Sequence, residues 1–145
     1  MLFSSCLQVD QEPVLLLGPS ADLSAHIKNG KLYATVQLNA NPQIITAGNI
    51  PMYFEFTGNL SIYNTKTGNI IDLSEFSGKG ASKVYVVSAD TTAHERFVVI
   101  ATGSVSSYAD IGNDQKTSND KLLGEADFYE ERQFIVSEVL SNSAN

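Results

Sequence analysis

His94 stands in one short stretch with Asp90 and Glu95, and an imidazole beside carboxylates is the chain's best combination for shuttling a proton or holding a metal. A zinc site, however, takes three or four ligands from His, Cys or carboxylate, and here only distant residues could supply the others. A solvated loop is the expectation. The second histidine, His26, falls on the polar side of an alternating run beside Tyr33, the place of an exposed strand residue. The single cysteine, Cys6, excludes an intramolecular disulfide and a Cys-rich metal cluster. Nothing near it would lower its thiol pKa enough to make a nucleophile.

Other side chains offer chemistry in outline only. Asp110, Asn113, Asp114, Asn119 and Asp120 carry hard oxygen atoms of the kind calcium accepts, without the EF-hand spacing. Glu125, Asp127, Glu130 and Glu131 form a second acidic group, but paired carboxylates for glycoside hydrolysis must flank a cleft. The chain has no Trp to build a sugar-stacking platform. Tyr53, Tyr63, Tyr85 and Tyr108 would have to serve, and half-buried packing explains them equally well. The many serines include no G-x-S-x-G elbow for a Ser-His-Asp triad. Ser77 to Ser82 has the outline of a phosphate loop, yet the required first glycine would be Leu73, and Gly80 follows Lys79 where Ser or Thr is needed. Asn59-Leu60-Ser61 is a glycosylation sequon with no secretory signal before it. No catalytic, cofactor-binding or metal-binding residues are assigned, and no cofactor is expected.

The 145 residues fit one domain with a sizeable core. Hydrophobic residues make up 43% and charged residues only 17%, so a surface made polar mainly by Ser, Thr, Asn and Gln is expected. A formal net charge of −7 without a basic cluster argues against nucleic acid, whose binding rests on Lys and Arg at phosphates. No run approaches the roughly 18 apolar residues of a membrane span. Leu2 to Cys6 has the outline of a lipid-attachment box but lacks a basic and an apolar region ahead of it. A soluble protein is expected.

The element best placed to order the rest is Asn29-Gly30, the pair that a two-residue type I′ turn demands because both central residues take positive φ. Closing the turn there pairs Ile27 with Leu32, Ala25 with Ala34, Leu23 with Val36 and Ala21 with Leu38 on an apolar face. His26 with Tyr33, Ser24 with Thr35 and Asp22 with Gln37 share the polar one. An isolated hairpin is marginal in water, so the apolar face requires a second layer.

Met1 to Glu12 is expected as a flexible arm or edge strand, and residues 13–145 as one β-sandwich domain. Pro13 to Leu17 reads as a strand buried on both faces, and Gln43 to Ala47 as a short one. Ile50 to Thr57 alternates with period two. Gly58-Asn59 then marks a break before a second hairpin, in which Ile62 meets Ile71, Leu60 meets Leu73, and Gly68 takes the left-handed place. Phe76 to Ser82 reads as a connection. Val84 to Ser88 and Phe97 to Val105 read as strands, the latter central because both its faces are largely apolar. Ser106 to Lys121 turns polar and reads as a long loop, the kind of segment that carries function.

Leu122 to Leu140 supports two readings. One is a helix with Asp127 as N-cap and Glu130 at N3; the other, preferred, is a strand over Gln133 to Leu140 after an acidic turn. Short strands between Gly, Asn and Pro turns imply an all-β fold, an antiparallel β-sandwich or jelly-roll, with room for one short C-terminal helix.

These features lead to the expectation of a non-enzymatic structural or interaction protein, most concretely a decoration or cement-type subunit of a larger assembly such as a virus particle. Exposed sheet edges suggest a homo-oligomer, with a trimer in view. The alternative is a β-sandwich module binding carbohydrate or calcium through the Ser106 to Lys121 loop, and a third reading is an enzyme using His94 with Asp90 or Glu95.

Overall fold

The structure is a computed structural model and describes residues 15–44, 51–91, 95–110 and 120–143. The Asn29-Gly30 turn closes as its residue types require, with φ of 53° and 76°, and joins β2 (Ser20–Lys28) to β3 (Lys31–Asn39). The register matches the turn at every position, from Ile27 opposite Leu32 to Ala21 opposite Leu38. Leu23, Leu32, Ala34, Val36 and Leu38 are buried on one face, while Asp22, Ser24 and His26 lie exposed on the other.

Among the described residues, three antiparallel sheets make up the all-β fold. β7 (Ser82–Asp90) adds to β3, giving a three-stranded sheet in the order β2-β3-β7. A four-stranded sheet in the order β6-β5-β8-β9 contains β5 (Met52–Asn64), β6 (Ile70–Lys79), β8 (Arg96–Ala109) and β9 (Lys121–Ile135). β1 (Leu15–Leu17) and β4 (Pro42–Ile44) form a two-stranded ladder. The chain ends its described part in α1 (Val136–Ser143). One core draws on both larger sheets: Leu32, Val36, Leu38 and Val87 from one, and Phe56, Leu60, Ile62, Phe97, Val99 and Phe128 from the other, with Val136 and Val139 of α1 added. The second layer that the hairpin needs is therefore the inner face of the four-stranded sheet.

Side chains from the four-stranded sheet fasten both edges of the smaller one. Arg132 donates from Nη1 to the Leu23 carbonyl at 2.8 Å, and its guanidinium lies 4.9 Å from the Phe134 ring. At the other edge the Ser88 N–H donates to Asp72 Oδ2 at 2.9 Å. Each bond occupies one backbone group on an edge strand that another chain could otherwise pair with. Between β6 and β7 the chain passes from one sheet to the other through Gly80-Ala81, and the stacked pair Phe76 and Tyr85, with ring centroids 4.3 Å apart, fills the corner.

Several expectations need correction. Leu16 is 55% exposed, so the Pro13 to Leu17 run is not a strand buried on both faces; its described part is a short edge. Gly58-Asn59 is no break, since β5 runs through it. Gly58 pairs with Gly103 of β8, and a Cβ on Gly103 would lie 2.1 Å from the Thr57 carbonyl oxygen. These glycines serve close strand approach and not a turn.

The second hairpin keeps the left-handed Gly68, with φ of 72°, but its register differs. A bulge near Ile71 sets Tyr63 opposite Ile70, Ile62 opposite Asp72 and Leu60 opposite Ser74. Because side chains alternate, that slip sends Leu73 to the outside, opposite Ser61, while Leu60 and Ile62 stay in the core.

Phe76 to Lys79 belongs to β6, not to a connection, and β8 extends as far as Ala109, well into the stretch read as loop. Asp127 and Glu130 lie within β9, so they form no capping box. The strand stops at Ile135, and Val136 onward is helical, with the Val136 N–H donating to the Glu95 carbonyl at 3.0 Å. The preferred strand over Gln133 to Leu140 is thus right for its first three residues only. The central place of the Phe97 strand, between β5 and β9, is as its two apolar faces require.

Candidate functional site

The residues singled out for chemistry separate in the fold. His26 is exposed and stacks on Tyr33 at 5.3 Å between centroids. Asp90 is exposed opposite Lys31, and Glu95 uses its carbonyl to start α1. His94, Cys6, Asn113, Asp114, Asn119 and the Met1 to Glu12 segment lie outside the described residues. Among the described residues no three His, Cys, Asp or Glu side chains gather as metal ligands. Ser77 to Ser82 spans the end of β6, the corner and the first residue of β7.

Asp110 and Asp120, at opposite ends of the polar stretch, do come together at one group. Tyr53 is buried on the outer side of β5, stacks on Tyr108 at 5.4 Å and donates its hydroxyl to Asp120 Oδ2 at 2.6 Å. Lys79 Nζ stands 5.7 Å from the same ring. Burial first, then the bond to Asp120 and the charges of Asp120, Asp110 and Glu55, hold the Tyr53 phenol well above its ordinary value. This arrangement latches the start of β9 onto β5.

A raised phenol pKa stabilises the folded chain below the unfolded value of about 10, and that contribution is lost as pH rises through the folded value. In an alkaline absorbance titration Tyr53 is expected to ionise last, together with unfolding, and Tyr53→Phe should reduce that late step by one tyrosine. Ionisation of Tyr53 along with exposed tyrosines would contradict the latch.

The largest concentration of unusual surface is the outer face of the four-stranded sheet. Cross-strand rows place Leu73 beside Ser61 and Ile100, and Ile70 beside Tyr63 and Val98, with Tyr129 opposite Thr102. Ile70, Ile71, Leu73 and Tyr129 are between 47% and 61% exposed, whereas Val98 beneath them is buried. The same face carries Glu55, Glu75, Glu125, Asp127 and Glu131, with Lys79 and Arg96 as its cations. Glu125 accepts from Ser106 Oγ at 3.1 Å, and Glu131 accepts from the Tyr129 hydroxyl at 2.7 Å. That bond, with some burial, raises the Tyr129 phenol.

The outer face of the three-stranded sheet differs. It sets Lys28, Lys31 and Asp90 in one row, and exposes Val84 and Val86 beside Gln37 and Thr35. Sequence reasoning placed the polar side of the Asn29-Gly30 hairpin in solvent, as it is, but missed the apolar patches on both outer faces. The available signal was the apolar outer side of the Phe97 strand, which was taken only as a sign of central position.

Comparison with protein-family models and with curated proteins finds no match. Within the described residues no helix is long and apolar enough to cross a membrane.

Proposed function

We propose that this chain is a non-enzymatic interaction protein, a decoration or cement-type subunit that docks on a larger protein assembly such as a virus particle and associates with copies of itself. The observation that supports the reading is the apolar surface held on the outer faces of both sheets. Scattered exposed apolar residues are ordinary on any protein, but a continuous set on one rigid face is characteristic of an interaction surface. Ile70, Leu73 and Tyr129 with the half-buried Tyr63 and Ile100 form such a set.

Self-association fits the three-stranded face better. Its described charges balance, Asp22 and Asp90 against Lys28 and Lys31, so two copies can meet there without net repulsion, and Val84 and Val86 supply the apolar contact. Native mass measurement across a micromolar concentration series is expected to show an oligomer that Val84→Lys with Val86→Lys disperses. A monomer at every concentration would overturn the self-association half of the reading.

A further inference from the structure

The outer face of the four-stranded sheet combines an apolar centre with a surplus of negative charge, Glu55, Glu75, Glu125, Asp127 and Glu131 against Lys79 and Arg96. Leu73 and Ile100 share one cross-strand row with Glu131. Tyr129 shares another, two residues along, with Glu75 at the β6 end. Asp127 occupies the next row, opposite Ser104. A second copy of the chain laid on this face would set those carboxylates against its own, and like charges brought together at a drying interface are strongly unfavourable. An anionic membrane surface meets the same repulsion.

We infer that this face docks a protein surface with exposed aliphatic side chains ringed by Lys or Arg. The aliphatic groups cover Ile70, Leu73 and Ile100, while the cations reach Glu75, Asp127 and Glu131. The phenol of Tyr129 serves both: its ring offers area, and its hydroxyl orients the Glu131 carboxylate toward the partner's cations. This assignment rests on the reading of the chain as an interaction protein and gives its docking face a partner chemistry.

The test is an amide chemical-shift titration of the full chain with a short capped peptide of alternating Lys and Leu, and with its Glu and Leu counterpart. The basic peptide should shift amides of residues 70–75, 98–102 and 127–133 and bind less well as salt rises. The variant with Glu75→Gln, Asp127→Asn and Glu131→Gln, which keeps side-chain shape, should weaken binding roughly tenfold. The acidic peptide and anionic phosphatidylglycerol vesicles should leave these amides unmoved. The proposal fails if the basic peptide shifts nothing or shifts amides elsewhere, if the triple variant binds as well as the parent, or if vesicles or simple concentration of the chain perturb this face. A chain that oligomerises yet ignores the basic peptide loses only this assignment. One that binds the peptide and stays monomeric keeps it and loses the self-association reading.

Discussion

Replacing Gly103 with alanine is expected to destabilise the fold by about 3 kcal/mol or more, a large share of the roughly 5–15 kcal/mol typical of a domain. The new Cβ would stand 2.1 Å from the Thr57 carbonyl oxygen and 2.7 Å from the Gly58 Cα, and both obstacles are backbone. Neither can swing aside as a side chain would. Relief requires β5 and β8 to separate at the middle of the four-stranded sheet, where Phe56, Leu60, Ala101 and Val105 are fully buried around the glycine pair. Gly58→Ala meets the reciprocal clash, 2.2 Å from the Thr102 carbonyl oxygen. Gly18→Ala is the control, because nothing lies within 4 Å of its Cβ position, and it should change stability by less than about 0.5 kcal/mol. Thermal unfolding should separate them, with melting lowered by about 10 °C for Gly103→Ala. Equal melting temperatures for Gly103→Ala and Gly18→Ala would disprove the close crossing.

The second large effect is a contrast within the β5–β6 hairpin. Ile62→Ala should cost about 2–5 kcal/mol, since Ile62 is fully buried and its loss leaves a cavity among Leu60, Val99 and the hairpin's apolar face. Leu73→Ala should cost less than about 0.5 kcal/mol, because Leu73 is 48% exposed. The unbulged pairing that residue spacing suggests would put both in the core and make both substitutions costly. Denaturant unfolding of the two variants therefore reports on the bulge at Ile71 itself.

These contrasts show what could be read from residues alone. The Asn29-Gly30 register was fully legible because the turn chemistry is local: two residues with positive φ, two strands, one possible pairing. The all-β class and the central Phe97 strand were legible for a similar reason, since period and β-propensity act within each strand. What escaped depended on partners distant in sequence. Gly58 signals a turn by composition, and only Gly103 opposite it reveals a crossing. Ile71 and Leu73 look like core until one extra residue in β6 shifts the alternation. The 127–131 region satisfies a capping pattern, but pairing with the whole length of β8 outweighs the local helical preference.

The candidate face was legible only in part, as an apolar outer side of β8. Its carboxylates come from β5, β6 and β9, and no single segment displays them together. Asp110 and Asp120 stood in the sequence only among five oxygen donors, with Asn113, Asp114 and Asn119, whereas their convergence on Tyr53 came from the fold.

The central claim is that function resides on the outer sheet faces, with self-association through the three-stranded one. The most direct measurement is amide hydrogen exchange of the full chain at low and high micromolar concentration. Exchange is predicted to slow on concentration at residues 82–90 and along the adjoining 31–39 strand, while residues 70–75 and 127–133 exchange unchanged. Exchange independent of concentration throughout, or slowing confined to the four-stranded face, would contradict the account.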